Sequence, residues 1–208
     1  MAGNMNPFLA GGWCQPGDEE SQPGENESGS PPSIFGALPS LSSSKSLLWS
    51  AQPDNATFSF TSFNSTILNC TVLSPQKHVA YRIVTEPSAP SYTILKDNDS
   101  RNVAMVQWQP NSTLEIRGAA PSQRIKDWLS LSSDKRKMWV RGVPYSWTTV
   151  DGFICLYKSS SSAPRILARI ARARSVVLLE CTQEALLTSL LEPCLVATIL
   201  FVCGHNID

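Results

Sequence analysis

Much of what an enzyme or a metalloprotein needs is missing from this chain. Only two histidines occur, His78 and His205, and no two cysteines have the C-x-x-C spacing of a structural zinc site. The glycine-rich phosphate loops G-x-x-x-x-G-K and G-x-G-x-x-G are absent, and so is the nucleophile elbow G-x-S-x-G. A serine or cysteine nucleophile would also need a convergent base. His78 falls in or beside a predicted strand and His205 among the last four residues, so neither is expected to be catalytic. The sparse carboxylates between Glu86 and Asp151 fall mostly in turns, where Asp has a structural role. No enzyme activity, metal or cofactor is expected.

The opening residues MAGNMNPFLAGGWCQPGDEE lack the basic region and the sustained apolar core of a secretory signal. An intracellular, cytoplasmic protein is the expectation. The six N-x-S/T triplets, at Asn26, Asn55, Asn64, Asn69, Asn98 and Asn111, then read as a by-product of Ser/Thr/Asn-rich strands rather than glycan acceptors. The six cysteines are Cys14, Cys70, Cys155, Cys181, Cys194 and Cys203. Four sit in apolar or strand-like runs, where a free thiol serves as a small buried hydrophobe.

Charge is scarce, 16% of 208 residues, and the formal net charge is zero. It is unevenly spread: −5 over residues 1–55, +1 over 56–120, +8 over 121–174 and −4 over 175–208. A local excess of +8 can attract phosphate or acidic partners, against the plainer reading of a solvated surface.

Residues 1–55 are rich in Gly, Pro, Ser, Glu and Gln and cannot bury enough apolar surface to offset their ordering entropy. They are expected to be a disordered acidic tail. Its apolar patch, SIFGALPSLSSSKSLLWS, reads equally as a docking motif or as linker. From residue 56 the texture changes to short alternating runs: TFSFTSF, STILNCTVL, HVAYRIVTE, SYTILK, VAMVQWQ and TLEIRG. Turn signals separate them every ten to fourteen residues, near the spacing of an antiparallel sandwich or barrel. A short helix is expected around Arg124–Leu131, with Ser122 as a candidate N-cap. Strands resume with RKMWVRG, with YSWTTV and FICLYK on either side of an Asp151-Gly152 turn, and with SVVLLECT. RILARIARA reads as a strand or an amphipathic helix.

From Cys194 to Cys203 every side chain is apolar except Thr198. A helix that is apolar all round must be buried on every side. Ten or eleven short strands in a meander leave exposed edges, which closure into a barrel removes, and a barrel of that size has an interior to fill. The expected fold is therefore mainly β: a closed antiparallel β-barrel over residues 56–208, threaded by a hydrophobic C-terminal helix at about 190–203. Pro193 fits the first turn of that helix, where its missing N–H costs nothing. A tail anchor is the rival reading. A span needs about 20 apolar residues, and the unbroken run here is about half that.

The runs NSTILNCTVLSPQKHVAYRIVTE and VAMVQWQPNSTLEIRG, then YSWTT before a hairpin and LEPCLVATILFV near the end, resemble a fungal (basidiomycete) domain of unknown function, family number 6593. That family in turn looks like the tubby and phospholipid-scramblase superfamily. The resemblance implies a closed barrel threaded by the helix at 193–202, with Trp108 and Trp147 as strand residues. It also implies anionic lipid headgroups as the partner. The chain departs from the family's charged ending: CGHNID carries only Asp208.

The candidate ligand-binding residues are basic: Lys135, Arg136 and Lys137 in one cluster, and Arg165, Arg169, Arg172 and Arg174 in another. Arginine offers a planar fork that suits phosphate. On a helix, Arg165, Arg169 and Arg172 would share a face; on a strand, Arg165 and Arg169 would oppose Arg172 and Arg174. Trp108, Trp139, Trp147, Tyr81 and Tyr145 read as core or cross-strand residues rather than a ligand groove. Aromatics are not interleaved with the basic residues as a nucleic-acid stacking platform requires. The leading expectation is a non-enzymatic domain that binds an anionic phospholipid surface or a protein. A tail-anchored membrane protein and an unrecognised hydrolase are the alternatives.

Overall fold

The computed structural model describes residues 55–63, 66–159, 165–173 and 176–208. The expected tail and Arg174 lie outside the described residues, Asn55 excepted. Thirteen antiparallel strands form one sheet. The first run comprises β1 (Ala56–Thr61), β2 (Cys70–Leu73), β3 (Val79–Val84), β4 (Tyr92–Asp97), β5 (Asn102–Gln107), β6 (Thr113–Ile116) and β7 (Ala120–Arg124). A single helical turn, α1 (Ile125–Trp128), leads into β8 (Leu129–Ser132), β9 (Lys135–Val140), β10 (Val143–Val150), β11 (Phe153–Lys158), β12 (Ile166–Ala173) and β13 (Val176–Cys181). Two helices close the chain, α2 (Gln183–Leu187) and α3 (Leu191–Val202). Each run is a meander, and β1 pairs with β13 to join them.

The sheet wraps around α3. Strands from both runs reach the helix and the segment after it: Tyr81 of β3 donates its hydroxyl to Glu192 at 3.1 Å, and Trp147 of β10 meets Phe201 edge-on at 5.5 Å. Trp108, just past the end of β5, stacks on His205 at 4.4 Å. The expected closed barrel is corrected in one respect. The hydrogen-bonded order starts at β7 and ends at β8, so the ladder stays open along one seam. Both edge strands are short, four or five residues, and β7 contains Pro121, which has no N–H to donate to a partner. Other contacts hold the seam. Ile125 and Trp128 of α1 are buried between the two edges. The backbone N–H of Arg141 donates to Ala119 at 3.3 Å, and its Nε donates to the Gly118 carbonyl at 2.8 Å.

α3 is buried from Pro193 through Phe201. Its one polar side chain in that stretch, Thr198, donates its hydroxyl to the Cys194 carbonyl at 2.8 Å and is satisfied. Leu195, Val196, Ile199, Leu200 and Phe201 are each at most 5% exposed. At about 1.5–3 kcal/mol apiece, their burial comes to on the order of 10 kcal/mol before entropy. That gross term is comparable to the net stability of a whole domain. Thr182 caps α2 by accepting from Ala185 N–H at 3.3 Å, and Ser189, at φ +55°, turns the chain into α3.

Several local expectations change. β7 and β8 were not expected as strands. α1 is shorter than expected, and the residue at its start is Arg124, without a side-chain cap, rather than Ser122. Trp147 lies in a strand, whereas Trp108 follows one. Cys70, Cys155, Cys181, Cys194 and Cys203 are free and buried. Burial pushes the Cys70 thiol up to about 12 and the Cys155 thiol up to about 11, so both stay protonated at neutral pH. Among the described residues no helix is long and apolar enough to cross a membrane.

Candidate functional site

Two tight turns set the register of β9, β10 and β11. Arg141 and Gly142, at φ +50° and +76°, join β9 to β10; Asp151 and Gly152, at +49° and +80°, join β10 to β11. Paired left-handed residues match the twist of flanking strands in two-residue hairpins. Counting outward from the turns gives the cross-strand pairs Lys137 with Ser146, Ser146 with Tyr157, and Thr148 with Cys155. Directly paired residues lie on one face of a sheet. Trp147 pairs with Arg136 and touches Phe201, so that face points to α3. Lys135, Lys137, Ser146, Thr148 and Tyr157 occupy the opposite, outward face.

On this outward face the structure has a groove of about 610 Å³, lined by Asp134, Lys135, Lys137, Ser146, Thr148, Tyr157, Lys158 and Ser159. Three lysines face one aspartate there. Ser146 and Ser159 share a hydrogen bond of 2.7 Å between their hydroxyls. Burial raises the Tyr157 hydroxyl pKa, which keeps it a donor. Trp139 continues the outward row of β9 and is 46% exposed. Ammonium groups beside hydroxyl donors suit an anion with several oxygens.

A family model described as a family of unknown function (DUF6593) matches residues 65–202. The chain belongs to that family. The match takes in the groove and ends at Val202, the last residue of α3. No curated protein matches the chain. An X-ray structure of a protein from Arabidopsis thaliana is similar, at 10% identity and a TM-score of 0.40, covering 70% of this chain and 92% of that one.

Within this member of the family, the six expected basic residues that are described, all but Arg174, do not form one site. Lys135 and Lys137 line the groove. Arg136, between them, points inward and is fully buried, with Nη1 and Nη2 donating to the Asp208 carboxylate at 2.9 and 2.8 Å. Arg169 lies on the outward face beside Cys155, but Nε and Nη2 donate to Glu180 at 3.1 and 3.0 Å, and its guanidinium sits 5.0 Å over the Phe153 ring. Burial pulls its pKa down to about 10, so it remains charged at neutral pH. Arg172 pairs with Val177 on the inward side of β12 and is half-buried. Arg165 is exposed, one residue before Ile166, the partner of Tyr157.

Lys158, Ser146, Thr148, Tyr157 and Ser159 were not singled out in the sequence. The hairpin count from Asp151-Gly152 carries the signal for Ser146, Thr148 and Tyr157; Lys158 pairs with buried Tyr145 and Ser159 follows β11, so the count does not point to either. Trp139, expected in the core or in a cross-strand pair, is exposed and pairs with Pro144 of β10, while Trp108, Trp147 and Tyr145 are buried. Neither His78 nor His205 lines the groove. Among the described residues no three His, Cys, Asp or Glu side chains converge as metal ligands.

Proposed function

We propose that this chain is a non-catalytic binding module whose outward β9–β11 groove takes anionic phospholipid headgroups. The observation that carries this reading is the convergence of Lys135, Lys137 and Lys158 on the hydroxyls of Ser146, Thr148 and Ser159 in one groove. Trp139 stands exposed in the same row as Lys135 and Lys137. An amphipathic row of that kind is suited to the headgroup layer, where lysines meet negative charge. The sequence likeness to the tubby and scramblase superfamily, with its barrel and threaded helix, points the same way.

Vesicle co-sedimentation tests the proposal. The full chain is expected to pellet with vesicles of phosphatidylcholine mixed with phosphatidylserine and to remain in solution with phosphatidylcholine alone. Three surface lysines at about 1 kcal/mol each predict a loss of roughly 100-fold in affinity for Lys135→Gln/Lys137→Gln/Lys158→Gln. Added salt should weaken native binding, because exposed charges are screened within a Debye length. Equal binding to neutral and anionic vesicles would overturn the reading.

A further inference from the structure

The residues that follow α3 are held by their side chains. Among the described residues, no backbone hydrogen bond joins residues 204–208 to a strand. The His205 ring stacks on Trp108, Ile207 is buried at 2% exposure, and Asp208 takes the Arg136 fork in a bidentate pair. Two local bonds shape the segment: His205 N–H donates to the Cys203 sulfur at 3.4 Å, and Asp208 N–H donates to Asn206 Oδ1 at 3.1 Å. A short segment gripped through an aromatic contact, an apolar side chain and a carboxylate is held much as a bound peptide is.

The receptor half of this contact belongs to the sheet. Arg136 is fully buried on β9, and its Nη1 also donates to the Leu129 carbonyl of β8 at 3.1 Å. Deprived of an anion, this guanidinium would be a buried charge without its carboxylate, which is strongly unfavourable. The position therefore calls for a carboxylate, whichever segment supplies it. Of the ion pair, Asp208 is the accessible member: its side chain is 23% exposed.

We propose that Arg136 and the apolar site around Ile207 form a carboxylate-recognising peptide site. Here Ile207 and Asp208 occupy it in cis, and it accepts in trans another short segment in which an apolar residue precedes an acidic one. The site faces the interior, opposite the lysine groove, so it does not depend on the lipid reading.

The test uses the full-length protein and a labelled peptide Gly-His-Asn-Ile-Asp, blocked at both ends so that its only carboxylate is the aspartate side chain. In the native chain the tethered segment competes at high effective concentration, so Asp208→Asn should bind the peptide about ten-fold tighter or more. Adding Arg136→Gln to that variant should abolish binding, and a peptide with Asn in place of Asp should not bind. Hydrogen exchange provides a second measurement: protection over residues 203–208 should fall in Asp208→Asn and return with the peptide. No gain in peptide binding by Asp208→Asn, or unchanged protection, overturns the proposal. Loss of folding in Asp208→Asn overturns it as well, because the pair would then be part of the core rather than an exchangeable contact.

Discussion

Along β9 the residues alternate between two chemistries on one backbone. Arg136, Met138 and Val140 face the helix and are buried; Lys135, Lys137 and Trp139 face outward and are exposed. The inward cation is neutralised by Asp208, while neither outward lysine makes an ion pair among the described residues. Three adjacent basic residues thus divide into a buried, paired group and two exposed lysines, and the two-residue period of the strand makes the division. Adjacent charges in a strand do not add up to a patch; charges across neighbouring strands do. Lys137, Ser146 and Tyr157 are distant in sequence yet form one outward row.

The sharpest way to break the inward face is at α3. Leu200 is 1% exposed within the wrapped sheet. Leu200→Asp would bury a carboxyl group with no partner prepared for it, and its desolvation together with the lost apolar packing is comparable to a typical domain's whole stability. Loss of near-UV circular dichroism and of a cooperative thermal transition is the expected result. A native-like melt for Leu200→Asp would show that the helix is not the core of the sheet.

A smaller effect separates the neighbours on β9. Arg136→Gln removes one partner of a buried pair, and the loss should be about 2–4 kcal/mol, at or below the range for fully buried pairs because Asp208 retains some solvent. Lys137→Gln, one residue away, should stay within about 0.5 kcal/mol, as surface changes usually do. Urea denaturation measures both. Similar costs for the two would remove the distinction between the faces.

Much of this arrangement is legible in the sequence. Alternating runs mark most strands, the Asp151-Gly152 turn fixes the hairpin that builds the groove, and the all-round apolar run marks α3 as an enclosed helix. The edge strands were harder to see. APSQR carries a proline, and LSLS is too short to show a period. Partners far apart in the chain were hidden too. Arg136 meets Asp208 across 72 positions, a contact that exists only once α3 has packed against the sheet. A cation in a run of cations reads as surface, and nothing local announces its carboxylate. The open seam is likewise a property of two strand ends meeting, which no single run encodes.

Arg169 sits on the outward face yet behaves like an inward residue. Arg169 and Glu180 have side chains only 10% and 12% exposed, and Asn55 Nδ2 donates to the same carboxylate at 2.7 Å. Hydrogen bonds to a charged group at a partly dry position contribute about 1.5–3 kcal/mol. The Arg169→Gln cost should lie toward the lower end, since glutamine still offers donors to Glu180. A double-mutant cycle with Glu180→Gln should return a coupling of about 1 kcal/mol, within the usual span for residues in contact. The same variant should bind anionic vesicles as the native chain does, because its charge is already matched by Glu180 and adds little to the field over the groove. If Arg169→Gln instead weakens vesicle binding as much as Lys137→Gln while leaving stability unchanged, the boundary of the binding surface moves across Cys155 to β12. Exposure, rather than the face of the sheet, would then be the wrong criterion for which cations serve the site.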